Sequence, residues 1–179
     1  MAKDKLDIDF KKITLSNGRT IEQQLKYEAQ RLTDILQEEI YAWYQSYSPK
    51  EYERTYNMVN SLFADKKVSV SNNGKRLYIN VNYNDLAYHE SMWYPNQEVN
   101  ILLLMNEGYQ VSKGWHKNIE NFGYREGGHF IERAIEKFKK EDIDLTSISK
   151  NSKTLTSRAA AIFSSCSSLG FLLSVSYFF

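Results

Sequence analysis

The chain is poor in the residues that carry most redox and metal chemistry. Its 179 residues include one cysteine, two prolines and three histidines, and the formal net charge is only +1. The single cysteine, Cys166, excludes an internal disulfide and a four-cysteine zinc site. An even charge balance gives no global reason to bind nucleic acid, because proteins that neutralise many phosphates present a clustered basic face.

Recognisable catalytic patterns are also missing. His89, His116 and His129 match no spacing of zinc ligands, so we expect no metal and no cofactor. Cys166 has no neighbouring base or cation in the sequence that would activate its thiol. Gly127-Gly128 is not followed by the Lys-Ser/Thr pair of a phosphate-binding loop. We therefore expect a protein without enzymatic activity, and a hydrolase that uses the three histidines is the least favoured alternative.

Tyrosine is the residue type that the chain has in abundance. Aromatic residues make up 14% of the chain, with 13 Tyr and 3 Trp, and hydrophobic residues make up 42%. Tyr and Trp offer large, stiff surfaces with a polar tip and are enriched at protein interfaces. Two uses for the tyrosines stay open from the sequence, a tyrosine-rich core and a contact surface for partners.

Two helices are predicted in the first third of the chain. Apolar residues recur at steps of three and four from about Thr20 to Tyr47, and Thr20 with Gln23 forms a capping box. Pro49 ends this helix and opens a second one. The apolar face predicted for the second helix comprises Tyr52, Thr55, Tyr56, Val59, Leu62 and Phe63.

The period then changes from helical to alternating. Lys67 to Tyr83 is predicted to form a β-hairpin around the turn at residues 72–75. Pro95-Asn96 opens a helix that Gly108 ends, although the apolar run within residues 96–107 also fits a buried strand. Residues 109–128 have the composition of a loop. A last helix is expected from about Gly128 to Glu141, and the preceding glycine pair is expected to adopt dihedrals closed to other residues.

These elements predict an α+β fold, in which a long N-terminal helix and a second helix pack on a small antiparallel sheet and a closing C-terminal helix follows. The expected boundaries are an N-terminal arm (1–19), the α+β domain (20–145) and a Ser-rich linker with an apolar C-terminal segment (146–179). The charged start MAKDKLDIDFKK lacks an apolar run, so we expect no secretory signal. After Arg158 no charged residue occurs, and residues 159–179 are about long enough to span a bilayer.

Two short motifs carry a family resemblance. Arg54, Thr55, Met58 and Ser61 occupy the Arg, Thr, Leu and Ser positions of an Arg-Thr-Gly-x-Leu-x-x-Ser pattern that follows a long helix. The last predicted helix opens with Gly128-His129-Phe130-Ile131-x-x-Ala134-Ile135. In these motifs and in the order of its elements, the chain resembles the tail-completion (head–tail joining) proteins of long-tailed bacteriophages over roughly residues 20–141. Tyr56 stands where the family usually has glycine, which favours a continued helix at this point.

The resemblance implies a structural virion protein, assembled in the host cytoplasm into a ring at the head–tail junction or the top of the tail tube. Its partners would be copies of itself and neighbouring connector or tail proteins, with no sequence-specific nucleic acid and no membrane. The alternative is a small membrane-associated protein anchored by its apolar C-terminus. The expected subunit interface comprises Tyr52, Arg54, Thr55, Phe171, Leu172, Tyr177 and Phe178.

Overall fold

The computed structural model describes residues 14–15, 17–46, 55–70, 76–90, 96–111, 123–140, 159–162 and 171–178. The chain divides into two compact units, and the boundaries between them fall after residues 31, 63, 82 and 141. One unit comprises Met1–Arg31, Ala64–Asn82 and Asp142–Phe179, and the other comprises Leu32–Phe63 and Tyr83–Glu141.

A long helix, shorter helices and small antiparallel sheets together confirm the predicted α+β class. The elements in chain order are α1 (Ile21–Gln45), α2 (Asn57–Asn60), β1 (Leu62–Ala64), β2 (Ser69–Val70), β3 (Arg76–Tyr83), a 3₁₀ turn (Asp85–Ala87), β4 (Tyr88–Glu90), β5 (Glu98–Asn100), α3 (Ile101–Glu107), β6 (Gly108–Val111), β7 (Gly123–Glu126), α4 (Phe130–Lys140), β8 (Ala159–Ile162) and β9 (Phe171–Phe178).

Helix α1 begins with the predicted capping box. The Thr20 amide donates to Gln23 Oε1 at 2.9 Å, and the Gln23 amide donates to Thr20 Oγ1 at 3.2 Å, so two amides without helical partners are satisfied. Gly18, at φ 78°, forms the turn that precedes the helix. The apolar stripe predicted from the sequence is buried at Ile21, Leu25, Ala29, Leu32, Leu36 and Ile40.

The second helix is much shorter than predicted. Thr55 and Tyr56 precede it in non-helical conformation, α2 covers only Asn57–Asn60, and β1 begins at Leu62. The prediction of a helix through residue 63 was therefore wrong at residues 55–56 and 61–63, which are not helical. Residues 48–54 lie outside the described part of the chain. Val59 and Leu62 contributed to the helical spacing of apolar residues in the sequence. Both are buried, but Val59 lies in α2 and Leu62 lies in β1.

The predicted hairpin is confirmed and belongs to a larger antiparallel sheet in the first unit. Strand β2 pairs with β3 through Ser69 opposite Tyr78 and Val70 opposite Leu77. Alternate residues of β3 (Leu77, Ile79 and Val81) are buried, as the period of two predicted. The five-stranded sheet has the order β1-β3-β9-β8, and β2 also pairs with β3. Of the residues of β1, Ala64 belongs to the first unit.

The apolar C-terminal segment supplies two strands of this sheet. Strand β9 pairs antiparallel with β3 from Arg76 opposite Phe178 to Asn82 opposite Phe171, with an irregularity between Val81 and Asn82. Strand β8 pairs with the other edge of β9 through residues 174–177. Because β1 and β2 lie along one edge of β3 and β9 along the other, β3 offers no open edge of the kind expected of a free hairpin.

The middle of the second unit differs from the prediction in two places. The expected helix from Asn96 starts later, because β5 occupies residues 98–100 and pairs with β4, and the Asn100 side chain then caps α3 by accepting from the Leu103 amide at 3.0 Å. Gly108, at φ 85°, ends α3 as predicted. The expected loop over 109–128 was wrong at residues 109–111 and 123–126, since β6 and β7 form an antiparallel pair there. Residues 112–122 lie outside the described part of the chain.

Helix α4 is held to α1 and α3 by polar contacts within the second unit. Asn106 of α3 is buried, its Oδ1 accepts from the Ile131 amide at 2.9 Å, and its Nδ2 donates to both carboxylate oxygens of Glu132. Arg133 pairs with Glu39 at 2.8 Å and Lys137 pairs with Glu38 at 2.7 Å. The core side of α4 consists of Phe130, Ala134 and Phe138, which matches the predicted closing helix.

Candidate functional site

The described part of the motif, from Thr55 to Ser61, folds as a tight turn into α2. Tyr56 precedes the helix with φ 57° and ψ 13°, a left-handed conformation that residues with a Cβ seldom adopt. The Asn60 amide donates to the Tyr56 carbonyl at 3.1 Å, and the Ser61 hydroxyl donates to the Met58 carbonyl at 2.7 Å. The expectation that Tyr56 continues a helix was therefore wrong, because the chain turns at this residue.

Three tyrosines surround this turn and form what we term the tyrosine surface: Tyr41 and Tyr44 of α1, and Tyr56. The Tyr44 ring is buried and lies 5.5 Å from the Tyr56 ring, edge to face, and 6.4 Å from the Tyr41 ring. The Tyr41 and Tyr56 rings lie 6.0 Å apart and are 42% and 40% exposed. Two large rings are thus held in fixed positions by a buried third ring while both stay open to solvent.

The tyrosine surface is supported from inside by α4. The half-buried Trp43 ring lies 5.6 Å from Tyr44 and 5.9 Å from the fully buried Phe130 ring. Gln37 of α1 also reaches α2, where its Nε2 donates to the Val59 carbonyl at 3.4 Å. Such packing fixes the ring positions in the free protein. Less side-chain entropy is then lost when a partner binds.

Of the N-terminal residues predicted for an interface, Thr55 is described and is exposed next to Tyr56. Tyr52 and Arg54 lie outside the described residues. The sequence interpretation missed Tyr41 and Tyr44, because the apolar periodicity of α1 runs through Ile40 and Trp43 and includes neither tyrosine. The available signal was that Tyr41 lies off this stripe, on a helix face otherwise occupied by polar residues such as Asp34 and Glu38.

The C-terminal residues predicted for an interface lie in β9. The backbone register sets Phe171 opposite Asn82, Tyr177 opposite Leu77 and Phe178 opposite Arg76, all within the same chain. Leu172 falls at the irregularity in this pairing. The apolar segment is therefore part of the sheet, and its role in contacts between subunits stays a prediction.

The residues considered for metal or nucleophilic chemistry are not gathered in one place. His89 is exposed on β4, and His129 is exposed at φ 47° just before α4. His116 and Cys166 lie outside the described residues. Within the ranges that the structure describes, no group of three or more His, Cys, Asp or Glu side chains could hold a metal ion.

A second aromatic pair lies at the start of the β4–β5 hairpin. The rings of Tyr83 and Tyr88 are 5.9 Å apart. Burial, together with the hydrogen bond to the Tyr88 hydroxyl, raises the pKa of Tyr83 to about 12. A tyrosine held more strongly in its neutral form acts as a hydrogen-bonding and packing group at neutral pH rather than as a base.

No protein-family model, no curated protein and no solved structure matches this chain. Among the described residues, no helix is both long enough and apolar enough to cross a membrane.

Proposed function

We propose that this chain is a structural virion protein that assembles into a ring at the head–tail junction or at the top of the tail tube of a tailed phage. The proposal rests on the resemblance of residues 20–141 to the tail-completion family. It requires no cofactor. It requires a rigid subunit with two different contact faces, because heterologous contacts between identical subunits generate closed rings.

The observation that carries the proposal is the backbone conformation of Tyr56. This residue stands where the family pattern has glycine, and its φ of 57° lies in the region that glycine adopts without strain. A tyrosine there costs on the order of 1–2 kcal/mol relative to glycine in backbone energy. The turn expected of the family pattern is thus kept although the residue that normally permits it is absent.

The tyrosine surface explains what a tyrosine contributes at this strained position. The Tyr56 ring packs edge to face on Tyr44 and beside Tyr41, and such ring pairs are worth about 0.5–1.5 kcal/mol. That gain roughly offsets the backbone cost. It also leaves two adjacent rings exposed next to Thr55, and exposed tyrosines on a rigid base are typical of protein interfaces.

The mass of the assembled protein tests the proposal. Full-length protein should give a single closed oligomer by native mass spectrometry and by light scattering, with ring-shaped particles in electron micrographs. Tyr41→Ser and Arg54→Glu should each weaken assembly while leaving the circular dichroism and melting temperature of the subunit close to wild type. Arg54 is included because its guanidinium can form a bidentate pair with a carboxylate on the next subunit.

The matched control is Tyr27→Ser, since Tyr27 is another exposed tyrosine of α1. The Arg19 guanidinium lies over one face of its ring, 4.1 Å from the ring centre. This variant should assemble as wild type does. A wild-type protein that remains monomeric at high concentration would refute ring assembly. Recovery of the protein with membranes, and a need for detergent, would favour the anchored alternative instead.

A further inference from the structure

The turn that leads into α1 contains a chemically reactive pair of residues. Asn17 is followed by Gly18, and both are exposed. In an Asn-Gly pair the glycine nitrogen can attack the carbon of the asparagine side-chain amide, because a residue without Cβ does not hinder the approach. The new C–N bond closes a succinimide ring and ammonia leaves. Water then opens the ring to aspartate or to isoaspartate, in which the main chain runs through the former side chain.

The fold engages the three polar atoms that take part in this reaction. The Gly18 amide, which would be the nucleophile, donates to the Leu15 carbonyl at 2.9 Å. Asn17 Oδ1 accepts from the Arg19 amide at 3.0 Å. Asn17 Nδ2, the nitrogen that would leave, donates to Gln24 Oε1 at 3.0 Å. The attack requires the Gly18 nitrogen to align with the side-chain carbonyl, so these bonds must open first.

Gln24 is the partner that ties the Asn17 side chain to α1, since the other two bonds stay within residues 15–19. Gln24 is 6% exposed, and its Nε2 donates at 2.7 Å to Oε1 of Glu28, which is 3% exposed. This buried bond fixes the orientation of the Gln24 amide. Its Oε1 therefore faces the turn, where it also accepts from Arg19 Nη1 at 3.3 Å.

We propose that Asn17 is a site of spontaneous deamidation and that its bond to the buried Gln24 holds the reaction back in the folded protein. The inference does not depend on the ring assembly. Deamidation removes the Nδ2 donor, and an ionised carboxylate can only accept hydrogen bonds, so it would face the acceptor Gln24 Oε1. The isoaspartyl product also lengthens the main chain of the turn. Both products lose the bond that ties Asn17 to α1.

The rate of conversion at Asn17 tests the proposal. Full-length protein is incubated at mildly alkaline pH, and peptide mass spectrometry then separates Asn17 from Asn73-Gly74, an Asn-Gly pair outside the described residues. Conversion should be slow in the folded protein and severalfold faster in guanidinium chloride. Equal rates in both would show that the fold gives no protection. Unchanged Asn17 in the denatured chain would show that it is not a deamidation site.

Gln24→Leu keeps a side chain of similar size and removes the acceptor, so the folded variant should deamidate at Asn17 severalfold faster than wild type. Arg19→Ala is the matched control, because it removes the other donor to Gln24 and leaves all three bonds of the reacting atoms. It should react at the wild-type rate.

Val81→Ala separates the loss of this bond from a general loss of stability. It leaves a cavity in the core of the same unit and removes no hydrogen bond of the turn. Compared at equal intervals below each melting temperature, Val81→Ala should accelerate the conversion less than Gln24→Leu does. Equal acceleration by the two variants, or a wild-type rate in folded Gln24→Leu protein, would overturn the role of Gln24.

Discussion

Gly128 is the position at which a single methyl group should have the clearest effect on the fold. A Cβ at this residue would lie 2.8 Å from both Cδ1 and Nε1 of Trp43 and 2.9 Å from Cδ1 of Phe130. The two rings are packed against each other, and the Trp43 ring also packs against Tyr44, so neither ring can move away freely. Gly128→Ala should therefore destabilise the protein by about 1–3 kcal/mol, the usual cost of overpacking a core.

For a chain of this size such a loss corresponds to a fall in melting temperature of roughly 2–4 °C per kcal/mol, which circular dichroism can follow. Gly127→Ala should cost more, because its methyl group would overlap backbone atoms of Asn106, Glu107 and Gly108. Replacing Trp43 by Phe should rescue part of the Gly128→Ala loss in a double-mutant cycle, since it removes the indole nitrogen that the methyl group meets. An unchanged melting curve for Gly128→Ala, or equal losses with and without Trp43, would refute this steric explanation.

Three further changes test other features. Asn106→Leu should destabilise the subunit by about 1–3 kcal/mol in urea denaturation, because it leaves the half-buried Ile131 amide without its acceptor and Glu132 without its donor. A loss below about 0.5 kcal/mol would contradict this. Tyr83 has its pKa raised from 10.0 to about 12 in the folded state, so its contribution to stability is complete below about pH 10 and is lost as the pH rises toward 12. Tyr83→Phe should flatten the fall in melting temperature over that range, and an identical pH profile would refute the assignment. Deleting residues 146–179 should uncover the edge of β3 and cause aggregation measurable by light scattering, whereas a soluble truncated protein with a wild-type melting temperature would show that β9 is dispensable.

The sequence was most informative where one local signal acted alone. The capping box at Thr20 and the alternation of Leu77, Ile79 and Val81 were sufficient because burial and local geometry agree there. At residues 55–63 two signals conflicted. The apolar spacing suggested a helix, but the left-handed turn at Tyr56 is stabilised by rings on α1, which no local pattern contains.

The glycine pair is a second place where contacts between residues distant in sequence decided the structure. The sequence interpretation ascribed Gly127-Gly128 to unusual dihedrals, but neither residue has a positive φ, and His129 next to them does. Their role is to let Trp43 and the backbone of α3 approach closely. Trp43 is distant in sequence, so periodicity could not identify it. The exposed ring of Tyr41 could have been predicted from its place on the helix, whereas its neighbour Tyr56 could not.

The position of β9 has a consequence for how the chain folds as it is synthesised. Leu77 pairs with Tyr177 and Val81 with Leu173, so the sheet joins residues that are translated far apart in time. Until residues beyond 170 emerge from the ribosome, β3 carries an apolar strand with one unpaired edge, while the second unit has all the residues it needs. Pairings between distant residues form slowly and are exposed to aggregation meanwhile. We therefore expect the second unit to fold during translation and the sheet to close only after it.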